Sequence, residues 1–265
     1  MNTSARTLQL ILPAIALVTL VGCDDREREI DRGPATTETR EVDEFDSISL
    51  RGSAQLQVRI GEPVSLTVEG SEKALARVET EVDGDTLYIR TSRKDWVFPG
   101  GSSRLIVRVT LPKLADLRLE GGNDVRLTGF DGGETTIDIE GAANLKGEGR
   151  LDELTVHMSG AGHADLRQLV ASDATVTVDG VGSVYVNSTE SLDATMNGVG
   201  AILYSGTPRD VNTAMRGVGT ISKDREGNAR DRGDDEPQLE RDHTEPVDPE
   251  SLQPEYEKEE LKVEA

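Results

Sequence analysis

Six glycines recur at nearly even intervals through the second half of this chain, and no other feature limits its fold so strongly. They are Gly121, Gly141, Gly160, Gly180, Gly198 and Gly217, and the steps between them are 20, 19, 20, 18 and 19. Four residues before each stand Leu117, Ile137, Val156, Val176, Ala194 and Thr213, and two before stand Leu119, Ile139, Met158, Val178, Met196 and Met215. Four after stand Val125, Leu145, Ala164, Val184, Ile202 and Ile221. Offsets of two and four fall on one face of a β-strand, so each set is a row contributing one residue per unit. A unit of about 19 residues cannot bury a face alone, but units stacked about 4.8 Å apart share one continuous apolar column. The repeat therefore predicts an all-β, single-chain β-helix or solenoid whose coil is strand, glycine corner, strand and a looser return. A β-sandwich of hairpins is the alternative, but hairpins require no fixed period. Glycine suits the corner because a sharp bend needs positive φ or close backbone approach. Aromatic residues make up only 3% of the chain, which stacked small aliphatics explain.

Upstream, Phe45-Asp46-Ser47-Ile48-Ser49-Leu50, Leu56-Gln57-Val58-Arg59-Ile60 and Val64-Ser65-Leu66-Thr67-Val68 alternate with period two. So do Thr86-Leu87-Tyr88-Ile89 and Leu105-Ile106-Val107-Arg108-Val109, with Gly, Asp and Pro between the runs. These are strands and turns, and only residues 72–78 (EKALARV) suggest a helical turn or two. The β-domain is expected over residues 41–223.

The flanks differ in kind. Arg6 precedes a 13-residue apolar run over residues 8–20, the length of a signal peptide and too short to span a bilayer. It ends in Leu20-Val21-Gly22-Cys23, and Cys23 is the one cysteine of 265 residues. Residues 1–22 thus read as a lipoprotein signal peptide, with Cys23 as the lipidation site that ties the mature chain to a membrane. Two or three acyl chains on Cys23 give stable anchoring where one is marginal. Asp24 and Asp25 resemble the signal that retains enteric lipoproteins at the inner membrane, which leans the localisation to that membrane, facing the periplasm. Residues 23–40 mix charge, Pro and Thr without periodicity and read as a flexible tether. Residues 224–265 read as a disordered acidic tail; the span 223–265 holds 16 acids against 7 bases. The rows also thin toward that end, where Lys223 stands in place of Leu127 and Val186, as expected of an atypical polar cap. The formal net charge of −21 argues against nucleic acid as a partner.

Residues 44–50 (EFDSISL), 64–69 (VSLTVE), 78–82 (VETEV), 85–87 (DTL) and 109–112 (VTLP) occur in that order ahead of the glycine-rich coils. The chain resembles the auto-transporter adhesin head domain family, also called the GIN domain, over about residues 41–222. That resemblance implies a right-handed single-chain β-helix on exported bacterial proteins, often lipoproteins, and carries no catalytic residues over.

The residues just before the corners, Glu120, Glu140, Ser159, Asp179, Asn197 and Arg216, form a polar row whose only neighbouring carboxylates are Glu120 and Glu140. A polysaccharide-acting β-helix enzyme, the alternative function, needs clustered carboxylates with a base in a groove; this row reads instead as solvated turn residues. His157 alternates outward, His163 lies beyond a corner and His243 is in the tail, so no metal and no cofactor is expected. Residues 94–101 (KDWVFPGG) hold the only Trp, and Trp96 with Phe98 is either a cap on the solenoid or an exposed contact loop. The expected function is non-enzymatic: a tethered envelope protein offering its solenoid to an envelope protein, a surface polymer or another copy of itself.

Overall fold

The computed structural model describes residues 34–91 and 105–224. Cys23, Trp96, Phe98, His243 and the tail beyond Asp224 lie outside the described residues.

The described chain is almost entirely strand, as the period-two patterning requires. The solenoid begins with β2 (Ser47–Ile60), which bends at Gly52 and is followed in the stack by β7 (Asp116–Asp131). Parallel coils then follow through β8 (Glu134–Ile139), β9 (Ala142–Met158), β10 (Ala161–Val178), β11 (Val181–Met196) and β12 (Val199–Gly206). The last coil is β13 (Asp210–Met215), paired to β11, and β14 (Val218–Lys223), paired to β12.

The rows read from the sequence are the rungs of the ladder. Leu117 pairs with Ile137, Ile137 with Val156, Val156 with Val176, Val176 with Ala194 and Ala194 with Thr213. All but Thr213 are buried, as are Val125, Leu145, Ala164, Val184 and Ile202 in the row beyond the corner. The interior is one apolar column whose residues change size by small steps from coil to coil.

The corner glycines serve close approach rather than left-handed backbone. Of the six, only Gly121 has a positive φ, 106°. A Cβ on Gly141, Gly160, Gly180, Gly198 or Gly217 would overlap the carbonyl oxygen of the corner glycine one coil earlier. A second column, Gly162, Gly182, Gly200 and Gly219, meets the carbonyl oxygens of Ala143, Gly162, Gly182 and Gly200 in the same way. The coils therefore touch backbone to backbone on both sides of the bend, which accounts for the Gly-x-Gly spacing.

The column has a seventh member that the even spacing conceals. Gly52 sits under Gly121, with Ile48, Leu50, Leu56 and Val58 beneath Leu117, Leu119, Val125 and Leu127. The two glycines are far apart along the chain because an insertion leaves the coil after Ile60. It comprises β3 (Ser65–Gly70), α1 (Glu72–Leu75), β4 (Val78–Asp83), β5 (Thr86–Thr91) and β6 (Ile106–Leu111). β5 and β6 lie parallel on the two halves of β2, on the side away from β7, completing a coil below it, with Thr91 at the corner and its Oγ1 accepting from the Ser53 amide at 2.8 Å. β4 and β3 then add antiparallel to β5 and β6 and end the parallel stack. The expected helical turn is α1, capped by the Ser71 hydroxyl accepting from the Ala74 amide.

Two boundaries move. Residues 36–40, expected in the tether, form β1 (Thr36–Arg40), antiparallel to β3. It escapes periodicity because nearly all of it is exposed, but Thr36, Thr37 and Thr39 are β-branched and fit an edge. Arg40 fastens it by donating to the Val78 carbonyl and the Thr80 hydroxyl, both at 2.9 Å. Asp224, expected in the tail, belongs to the solenoid: it is buried, and its amide donates to the Tyr204 carbonyl at 2.7 Å.

Candidate functional site

Each coil presents three outward surfaces: the strand before the corner, the corner and the strand after it. The first carries the polar row, and its charges are spent on one another. Arg51 grips Glu120 through Nε and Nη2 at 2.7 and 2.9 Å. Arg118 stands 3.5 Å from Asp138 and 3.7 Å from Glu140. The hydrogen bond from Arg51 holds the Glu120 carboxyl below its ordinary range despite some desolvation. A general acid needs the opposite shift, and the Glu120 carboxylate is engaged by Arg51. Further along, Asp179 accepts from Asn197 Nδ2 at 2.6 Å and lies 3.6 Å from His157 Nε2.

The strand after the corner holds the densest polar cluster. Arg167 donates from Nε and Nη2 to Asp165 at 2.8 and 2.7 Å, and its guanidinium lies 4.8 Å from the Tyr185 ring centroid. His163 meets the same ring edge-on at 5.3 Å, and Asp224 lies 3.9 Å from Arg167 Nη1. The hydrogen bond from Arg167 pulls the Asp165 carboxyl below its usual range, and the bond back to Asp165 raises the guanidinium. With its fork occupied, Arg167 fastens the end of β14 to the coils before it and leaves little for an anionic ligand. His157 and His163 stand on different faces, and among the described residues no three metal-ligating side chains come together.

The corner is different. The residues between the two glycine columns pair as Gly122, Ala142, Ala161, Val181, Val199 and Val218. They grow toward the C-terminal end, where Val181, Val199 and Val218 are 59, 49 and 72% exposed. Glycine on both sides leaves no side chain to shield them, so three valines stand as a ridge. Sequence reasoning had the signal in three Gly-Val-Gly triplets but weighed only the glycines. Of the residues expected to matter, Cys23, Trp96 and Phe98 lie outside the described residues.

Among the described residues, the fold and its surfaces define a parallel β-solenoid that offers faces and a ridge. The chain belongs to the family described as "Putative auto-transporter adhesin, head GIN domain", whose model matches residues 44–208. Among solved structures, it is similar to a "putative adhesin" from Bacteroides fragilis at 23% identity and a TM-score of 0.56, over 72% of this chain and 97% of that one. It also matches a "putative adhesin" from Parabacteroides distasonis at 19% identity and a TM-score of 0.42, over 73% of this chain and 98% of that one. A "putative lipid binding protein" from the same organism matches at 19% identity and a TM-score of 0.39, again over 73% and 98%. No curated protein matches the chain. No helix among the described residues is long and apolar enough to cross a membrane.

Proposed function

We propose that this chain is a non-enzymatic envelope lipoprotein, tethered through acylated Cys23, whose solenoid binds another envelope component or a surface polymer through its corner ridge. The observation that carries the reading is where the apolar surface lies: the five exposed large hydrophobics of the described residues all fall in the last coils, three of them on the ridge. Exposed apolar groups gathered in one strip mark binding surfaces, whereas scattered ones do not. Membership in an adhesin-head family agrees with a contact role, and the Leu20-Val21-Gly22-Cys23 motif that follows the apolar run over residues 8–20 supports the anchor on Cys23. Asp24 favours retention at the inner membrane.

The test has two arms. Cells grown with an alkyne-tagged fatty acid should label the wild-type chain, and Cys23→Ser should abolish the label and leave precursor in the membrane fraction. Normal processing of that variant to a soluble form would sink the anchor. Purified envelope polymers should bind the wild-type chain and bind Val181→Ser/Val199→Ser/Val218→Ser much less. Equal binding by both chains would remove the ridge from the function.

A further inference from the structure

We propose that the C-terminal end of the solenoid is a self-association interface that takes a second copy of this chain, end to end, across a two-fold axis at Gly217. This inference rests on the last coil and not on the adhesion reading.

β13 and β14 end the parallel stack, and no described strand pairs with their outer side. Val211, Thr213, Met215 and Ile221 continue columns that are buried one coil earlier as Leu192, Ala194, Met196 and Ile202. Yet Val211 is 40% and Met215 44% exposed, because no described coil stands on them. The last coil therefore presents an open apolar interior rimmed by a strand edge, the combination that invites pairing with another chain. The other end of the stack is closed by antiparallel β3 and β4, so a second copy cannot continue the coils head to tail. Two like ends can meet, and that arrangement closes as a dimer.

The register supports it. The amides of Arg216, Val218 and Asp224 donate back to Met196, Gly198 and Tyr204 of the coil before. Backbone groups alternate along a strand, so those of Val211, Thr213, Met215, Gly219, Ile221 and Lys223 point to the open end. These same residues face the interior. A two-fold axis at Gly217 lays β13 antiparallel on β14 of the second copy, setting Val211 opposite Lys223, Thr213 opposite Ile221 and Met215 opposite Gly219. Directly opposed residues that both offer their N–H and C=O form the hydrogen-bonded pairs of an antiparallel ladder. The backbone groups and the apolar interior are thus matched by one operation. Asp210 comes beside Lys223 of the second copy, while Asp224 is turned toward Arg167. The three valines of each ridge would join into one strip across the axis.

Ala214 and Thr220 are equally distant from Gly217 and point outward. The axis makes each the non-hydrogen-bonded partner of the other in the second copy, with Cα atoms about 4.5 Å apart, within disulfide reach. Full-length chains carrying Ala214→Cys and Thr220→Cys, each with its own tag, are co-expressed and oxidised. The expected result is a mixed dimer that reduction dissolves, well above the dimer from either variant alone. The unmodified chain, whose one cysteine is Cys23, reports any link through that thiol. Adding Met215→Glu, at a site 44% exposed in the single copy, should remove the mixed dimer while leaving the circular dichroism of the single chain unchanged. A mixed dimer no stronger than the single-variant dimers, one indifferent to Met215→Glu, or links to a foreign protein instead would each overturn the proposal.

Discussion

Gly180→Ala adds one methyl group and tests whether the corner glycines are chosen for backbone contact. The new Cβ would overlap the Gly160 carbonyl oxygen, and would lie 2.8 Å from the Gly160 carbonyl carbon and 3.0 Å from that of Ser159. Carbon atoms settle at about 3.5 Å or more, so the coils must part by at least about 0.7 Å there. The Val181 amide donates to that same Gly160 oxygen at 2.9 Å. Moved by this amount it stands at about 3.6 Å, no longer a hydrogen bond. Losing the bond costs about 1–3 kcal/mol and forcing packed elements apart about as much again. A total of about 4 kcal/mol should lower Tm by roughly 12 °C in a domain of this size. The control is Gly84→Ala: Gly84 has φ +60° and nothing within 4 Å of its added Cβ, so only about 1–2 kcal/mol of backbone strain is expected. Thermal and urea unfolding followed by circular dichroism measure both. Should Gly180→Ala cost no more than Gly84→Ala, the stacked-backbone account of the corner fails.

The rows, the polar cluster and the tail each carry a further prediction. Val178→Asp places an unpaired charge in the sealed column and should cost several kcal/mol, whereas Thr177→Asp on the outward face should stay within about 0.5 kcal/mol; equal losses in urea titrations would mean the strand phase is wrong. Asp165 has its carboxyl pKa lowered by Arg167, so its stabilising contribution is present above the unfolded value near 4 and lost as pH falls through the lower folded value. Asp165→Asn should therefore melt below wild type by about 1 kcal/mol or less at neutral pH and converge with it in acid, and a gap that widens on acidification would reverse the assignment. Removing residues 225–265, an acidic stretch, should leave the solenoid's Tm nearly unchanged and promote self-association, most visibly at high salt; light scattering that shows no rise would leave the tail another role.

What the sequence determined by itself is the coil. A near-constant glycine period, with aliphatics at −4, −2 and +4 from each glycine, admits few folds, and the ladder pairs those rows residue by residue. The reason is that a stacked solenoid satisfies its columns one rung at a time, so local order along the chain is also order in space. The same logic hid Gly52: the insertion of β3 to β6 sets two touching rungs far apart in sequence, and only pairing restores the neighbour. β1 was equally hidden, because an edge strand with both faces wet has no apolar rhythm to read. Tertiary structure alone also decided what the glycines do. Positive φ and backbone crowding both select glycine, and only the stacked coils separate them. The ridge and the open end belong to that second kind of knowledge. Val178 and Val181 are both valine in a sequence and both have a rung on either side, but one faces the sealed interior and the other points out of the corner between two bare glycines. Exposure is a property of what lies next to a residue in space, and that is the part a chain does not spell out.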